Sequence, residues 1–96
     1  MTAYVIAQVN VSNPERYPEY TAQVPPTIAK HGGRFIARGG NAEVLEGILP
    51  LPQRLVIIEF PNREAAKAWW SSEEYEPLKA LRQENSEGTL FLVDGI

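Results

Sequence analysis

The 96-residue sequence contains no cysteine, a single histidine and no long apolar run. Without cysteine there can be no disulfide, no thiolate nucleophile and no cysteine-based zinc site, which fits a reducing compartment. One histidine cannot build a histidine-rich metal site, and no H-E-x-x-H spacing occurs. No apolar stretch approaches the roughly 20 residues of a membrane span, and no secretory signal is recognisable. We therefore expect a soluble cytoplasmic protein without a metal or an organic cofactor.

The charged residues are scattered and slightly acidic in balance. Nine Lys and Arg residues stand against twelve Asp and Glu residues, a net charge of −3. A nucleic-acid surface needs a stripe of Lys and Arg, and a lipid-binding surface needs a polybasic cluster. Neither occurs, so we expect no nucleic-acid partner and no membrane partner. The length fits one domain, residues 1–96.

Apolar periodicity predicts alternating strands and helices along the chain. Strand-like runs occur at residues 3–11, which alternate, and at 34–38, 54–60 and 89–93, with a short additional strand at 42–47. Helical spacing runs from Pro14 to about residue 31, and again in two segments after Asn62, the second starting at Ser71. This order is that of the α+β, ferredoxin-like βαββαβ sandwich, an antiparallel sheet with its helices on one face.

Prolines and glycines punctuate the first predicted helix. Pro25 and Pro26 would each remove a hydrogen bond from the helix interior, so we expect a kink or break near residues 24–26. Gly32 and Gly33 would end the helix, because glycine accepts the left-handed conformation of a C-terminal cap. The glycine pairs at 32–33 and 39–40 do not match a phosphate-binding loop, which leads from a strand into a helix. A helix cap and a hairpin turn explain these glycines better.

The segment RLVIIEF, residues 54–60, is apolar on both faces apart from Glu59. A sheet with helices on one face normally alternates apolar and polar residues, because its other face meets water. Something must therefore cover the second face, and another copy related by twofold symmetry is the simplest cover. We predict a homodimer that forms through the open sheet face.

Six segments together resemble a known family: YPEY, HGGRFIARGG, VLEG, LVIIEFP, AWWSSEEYEPLKALR and LVDG. They are similar, over nearly the whole chain, to the small bacterial family called domain of unknown function 1330. That family belongs to the dimeric α/β-barrel superfamily, whose members include cofactor-independent monooxygenases and muconolactone isomerase-like proteins. The resemblance implies a ferredoxin-like fold, a dimer and a cleft between sheet and helices in each subunit. It implies no particular reaction, and the double proline at 25–26 departs from the family pattern.

His31 is the candidate catalytic residue, because imidazole is the side chain whose ordinary pKa lies near neutrality. The alternative is a residue that only helps to end the helix, where the helix dipole favours a cation. Arg34 and Arg38 lie four apart on one strand, which predicts a shared sheet face. One of them would clamp a carboxylate or phosphate, or both would pair with nearby glutamates or a partner subunit. Glu59 is either a buried carboxylate in the cleft or a structural ion-pair partner of an arginine.

Adjacent Trp69 and Trp70 point about 100° apart on a helix, so they cannot both face one core. The family pattern selects Trp69 for the cleft. Aromatic and arginine side chains predict a small aromatic or acidic ligand. The candidate ligand-binding residues are Tyr20, Arg38, Glu59, Trp69, Tyr75 and Arg82.

Two classes of function remain open. The first is a cofactor-independent isomerase or monooxygenase-like enzyme, in which His31 moves a proton while Arg38 or Arg82 and a tyrosine hold the developing anion. The second is a non-catalytic dimeric module that binds or senses a ligand. A purely structural dimer is a third possibility, and it requires that side chains fill the cleft.

Overall fold

A computed structural model describes all residues, 1–96. Four strands and three helices follow one another along the chain. They are β1 (Ala3–Val11), α1 (Tyr17–Lys30), β2 (Arg34–Arg38), β3 (Arg54–Phe60), α2 (Arg63–Trp70), α3 (Glu76–Asn85) and β4 (Ser86–Asp94).

The strands form one antiparallel sheet in the order β2-β3-β1-β4. The helices cover one face of it, and the predicted ferredoxin-like α+β fold is confirmed. Val5, Ala7 and Val9 of β1 point inward at alternate positions, and Val56 and Ile58 of β3 do the same. Burial of these apolar side chains is the main driving force that holds the helices on the sheet.

Pro25 and Pro26 lie inside α1 without breaking it, so the predicted break is wrong. A proline at position 25 leaves the carbonyl of Thr21, one turn earlier, without its helical donor. Arg38 fills this position from β2, because its Nη2 donates to the Thr21 carbonyl at 2.7 Å. A side chain from the neighbouring strand thus replaces one hydrogen bond that proline removes from the helix.

The end of α1 follows the glycine prediction. Gly32 has a φ of +75°. Its N–H donates to the Ala29 carbonyl, and the Gly33 N–H donates to the Ile28 carbonyl, each at 3.0 Å. These two bonds form a Schellman cap, which turns the chain directly from α1 into β2.

An irregularity in β2 changes the direction of its arginines. The register with β3 shifts between Phe35 and Ala37, so that Arg34 lies opposite Glu59 and Arg38 opposite Val56. The predicted shared face for Arg34 and Arg38 is therefore wrong, because an extra residue in a strand reverses the alternation beyond it. Arg38 lies on the helix side and Arg34 on the open side.

Three predicted boundaries also differ from the structure. Residues 42–47 form no strand and lie in an irregular segment between β2 and β3. The third helix begins at Glu76, and the Ser72 hydroxyl, not that of Ser71, accepts from the Tyr75 N–H at 3.3 Å. The last strand begins at Ser86, three residues before the predicted start. None of the three helices is both long and apolar enough to cross a bilayer.

The open face of the sheet is apolar at its centre. Ile6 on β1 lies opposite Ile57 on β3 and opposite Phe91 on β4. Phe91 and Val93 remain 46% and 43% exposed. This face carries no helix of its own chain.

Candidate functional site

A narrow cleft lies between α1 and the helix-facing side of the sheet. Three arginines, Arg38, Arg54 and Arg82, line it together with tyrosine and aliphatic side chains. No aspartate or glutamate is among its lining residues, although the chain as a whole has a net charge of −3. The cavity volume is about 30 Å³, which is room for one or two water molecules.

Arg54 is the first residue of β3 and pairs with Val9, so its side chain starts on the helix-facing side. The guanidinium lies beside Gly39, where an added Cβ would come within 3.1 Å of its Cζ. Gly39 also has a φ of +71°, so the hairpin glycine serves both the turn and the arginine. The Cζ lies 5.8 Å from the Tyr17 ring centre. The Arg54 Nε is buried and has no hydrogen-bond partner.

Arg82 projects from α3 and is only 6% exposed. Its Nε donates to the Tyr75 hydroxyl at 3.4 Å, and it forms no ion pair. The hydroxyls of Tyr75 and Tyr20 lie 3.0 Å apart. The buried guanidinium thus faces phenol groups and no carboxylate.

Arg38 lies at the exposed mouth of the cleft. Besides its bond to the Thr21 carbonyl, its Cζ lies 4.4 Å from the centre of the Phe35 ring. A guanidinium has five N–H donors, so these contacts leave further donors for a ligand.

The tyrosines of the cleft favour their protonated forms. Burial raises the pKa of Tyr20, and the neighbouring Tyr75 raises it further. Burial also raises the pKa of Tyr17, although Arg54 and Arg82 partly oppose the increase. Both phenols are therefore hydrogen-bond donors at neutral pH, suited to an anionic acceptor.

Trp69 closes the inner end of the cleft. It is 1% exposed, its Nε1 donates to the Thr27 hydroxyl at 3.1 Å, and its ring centre lies 4.1 Å from that of Tyr75. Trp70 points away from the core and is 39% exposed. The structure therefore separates the two tryptophans as their helical spacing predicts.

The structure brings together five of the seven predicted site residues: Tyr20, Arg38, Trp69 and Arg82 line the cleft, and Tyr75 contacts three of them. His31 lies at the C-terminal end of α1, half-buried, with Nδ1 3.0 Å from the Thr27 carbonyl. Glu59 lies on the open sheet face, where its Oε1 accepts from the Arg34 Nε at 3.0 Å. Neither His31 nor Glu59 lines the cleft.

Arg54 and Tyr17 line the cleft but were not predicted as site residues. The signal for Arg54 was present, because residues 54, 56, 58 and 60 share one side of a strand and the last three are apolar. An arginine in line with a core-facing row starts its side chain toward the core, where its charge needs an anionic or polar partner. Tyr17 gave no such signal, since an aromatic residue at helical spacing is equally typical of a core.

No group of three or more histidine, aspartate or glutamate side chains is placed to hold a metal ion. The donors that line the cleft are guanidinium and phenol groups. They suit an anion and not a cation.

The family model called "Domain of unknown function (DUF1330)" matches residues 2–96. The chain belongs to the DUF1330 family. A comparison of this DUF1330 chain with curated protein sequences finds no match.

Solved structures similar to this DUF1330 protein share its fold. A protein of unknown function from Rhodopseudomonas palustris is 18% identical with a TM-score of 0.75, over 99% of this chain and 82% of that one. SnoaB, a cofactor-independent oxygenase from Streptomyces nogalater, is 11% identical with a TM-score of 0.68, over 99% and 93%. An antibiotic biosynthesis monooxygenase is 22% identical with a TM-score of 0.55, over 98% of each chain. These similarities show that the DUF1330 chain shares the ferredoxin-like α+β fold of these proteins.

Proposed function

We propose that this DUF1330 protein is a cytoplasmic homodimer that binds a small organic acid in the cleft between α1 and the sheet. The observation that carries the proposal is the set of three arginines, Arg38, Arg54 and Arg82, that line the cleft without any carboxylate partner. The cysteine-free composition fits the reducing cytoplasm.

Burial of an unpaired guanidinium is costly, because it loses water and gains no opposite charge. Arg82 is 6% exposed, and Arg54 has a buried Nε–H with no acceptor. A ligand carboxylate supplies both the charge and the acceptors, and the planar guanidinium matches it with paired hydrogen bonds. The Tyr17 and Tyr20 hydroxyls add donors to the same anion.

The rest of the cleft selects the remainder of the ligand. Aliphatic side chains such as Val24, Val56 and Leu90 form its apolar walls, and Trp69 closes one end. We therefore favour a small, flat aromatic carboxylic acid. The cavity of about 30 Å³ is smaller than such a ligand, so binding requires α1 to move away from β2. The Arg38 guanidinium would then donate to the ligand carboxylate instead of to the Thr21 carbonyl.

Homodimerisation through the open sheet face is the second part of the proposal. Ile6, Ile57 and Phe91 form an apolar centre on that face, and a second copy would cover it by twofold symmetry. Light scattering at micromolar concentration tests this part, and a clean monomer would contradict it.

A cofactor-independent isomerase or monooxygenase is the second candidate function. The Tyr20–Tyr75–Arg82 hydrogen-bonded group supports it, because phenol and guanidinium donors stabilise a developing oxyanion. His31 would accept the proton in this scheme. His31 does not line the cleft, and we therefore rank binding without turnover first.

A thermal-shift screen of small acids tests the binding proposal. Benzoate and salicylate should raise Tm, since a ligand present at 100 times its Kd stabilises the native state by about 2.7 kcal/mol. Benzamide, which has the same shape without the charge, should leave Tm unchanged. Equal shifts for benzoate and benzamide would contradict an arginine site. His31→Ala should keep the benzoate shift, whereas a lost shift would favour the enzyme hypothesis.

A further inference from the structure

The segment between β2 and β3 projects from the molecule as an apolar arm, defined here as residues 41–52. It contains no regular secondary structure. Leu45 and Ile48 at its tip are 94% and 102% exposed, the values of side chains that touch almost nothing. The arm exposes five large apolar side chains: Val44, Leu45, Ile48, Leu49 and Leu51. Side chains of this kind are rarely left in water together unless another surface covers them.

The same chain has an apolar groove with no occupant, between α2 and the outer edge of β4. Its cavity volume is about 180 Å³, and seven of its eight lining residues are hydrophobic. Trp70 and Phe91 form its exposed walls, and Lys67 is its one charged residue. β4 pairs only with β1, so the backbone groups on its outer edge are free.

Charge also matches between the arm and the groove. Glu43 and Glu46 flank Leu45, and neither forms an ion pair within the chain. Lys67 at the groove is likewise outside every ion pair. The acidic, apolar tip of the arm therefore complements the basic, apolar groove. Such charge complementarity fixes how two surfaces align in an interface.

We propose that the arm of one subunit docks in the Trp70–Phe91 groove of a second copy of this chain, with Leu45 and Ile48 in the groove and Glu46 beside the partner's Lys67. This inference rests on the homodimer of the proposed function. Each subunit supplies one arm and one groove, so two contacts close the pair and leave no open site for further copies.

The sheet order places the start of the arm and the groove at opposite edges. The arm leaves the sheet beside β2, and the groove lies beside β4 in the order β2-β3-β1-β4. Only the end of the arm, Pro50 to Pro52, returns across the sheet to Gly88 and Thr89 of its own β4. The two edges are three strand spacings apart, about 14 Å. When two such sheets pack face to face about a twofold axis parallel to the strands, the β2 edge of one lies over the β4 edge of the other.

The strand-like sequence of residues 42–47 gains a role in this arrangement. Its sequence reads as a short strand, but it has no partner strand within its own chain. The free outer edge of the partner's β4 offers backbone donors and acceptors to such a segment. Pro50 and Pro52 lack the N–H that a strand needs, so pairing ends before them.

Cysteine cross-linking tests the proposal directly, because the natural chain contains no cysteine. Glu46→Cys and Lys67→Cys are made separately, and the two purified variants are mixed under conditions that exchange subunits. A short bifunctional maleimide should then produce a covalent dimer in the mixture, and much less with either variant alone. Glu15→Cys, on an exposed site before α1, replaces Glu46→Cys in the matched control and should give no covalent dimer with Lys67→Cys.

The outcomes separate this inference from the proposed dimer. If light scattering shows a dimer but the Glu46→Cys and Lys67→Cys mixture links no better than the Glu15→Cys control, the arm does not occupy the groove and the inference is wrong. If the wild-type chain is a monomer, the proposed dimer itself is wrong. Leu45→Asp gives an independent check, because it should weaken dimerisation at least tenfold, whereas Glu15→Asp should not.

Discussion

Replacement of Arg54 by methionine should make the protein more stable and remove its affinity for an organic acid. Methionine follows the arginine stem as far as the Nε position, so the apolar stem stays packed in the cleft. The substitution removes the buried Nε–H that has no acceptor. It leaves the Gly39 turn unchanged, because methionine lacks the Cζ and Nη atoms that lie beside that glycine and adds no new contact there.

The expected gain follows from the contacts of Arg54. An unsatisfied buried donor costs about 1–3 kcal/mol. Against this, the guanidinium lies 5.8 Å from the Tyr17 ring centre, a contact worth about 0.5–1 kcal/mol. The net expectation is a gain in unfolding free energy of about 1 kcal/mol. For a domain of this size, that gain corresponds to a rise in Tm of about 4–8 °C.

Thermal unfolding and benzoate titration calorimetry measure the two effects on the same samples. Arg63→Met is the matched control, since it removes the same charge from an exposed ion pair with Asp94. The control should change Tm little and bind benzoate like the wild type. If Arg54→Met lowers Tm and keeps benzoate binding, Arg54 is a structural residue and the argument for an anion site fails.

Two further substitutions test the packing and the phenol chemistry. Gly33→Ala should lower the unfolding free energy by about 1–3 kcal/mol, because its Cβ would lie 2.6 Å from the Phe60 Cε1. Gly40→Ala, with no atom within 4 Å of its Cβ, should be nearly neutral in the same urea titration; equal effects would contradict the packing argument. Burial raises the pKa of Tyr20, so above pH of about 10 the unfolded chain loses this proton first and stability falls. Urea titrations at two pH values should show a smaller alkaline loss for Tyr20→Phe, and an unchanged loss would contradict a buried phenol.

The strand and helix pattern was predictable wherever local periodicity and burial agree. The runs at residues 3–11 and 54–60 were predicted as strands, and both are strands in the structure. The core face of β3, with Val56, Ile58 and Phe60, was not predictable because both faces of that strand are apolar. The course of α1 through Pro25 was not predictable from α1 alone. The donor that satisfies the Thr21 carbonyl comes from Arg38 on another element, and local propensity contains no information about it.

The candidate site was predictable only where its residues share one local element. Arg82 and Tyr75 share one helical face, so sequence spacing places them together. The irregularity in β2 places Arg34 and Arg38 on opposite faces of the sheet. No sequence feature marks the position of this irregularity. Arg54 lies on the same side of its strand as core residues, which indicated it. The importance of its charge, however, depends on the absence of acidic residues from a cleft that all seven helices and strands line.

The most direct test of the anion cleft is the Nε–H signal of Arg54 in a ¹⁵N–¹H spectrum, assigned by its loss in Arg54→Met. The account predicts that benzoate shifts this signal in a saturable manner, because the ligand carboxylate becomes the acceptor that the Nε–H lacks. Benzamide at the same concentration should leave the signal in place. A signal that does not respond to benzoate, while that of exposed Arg63 responds equally to both compounds, would contradict the account.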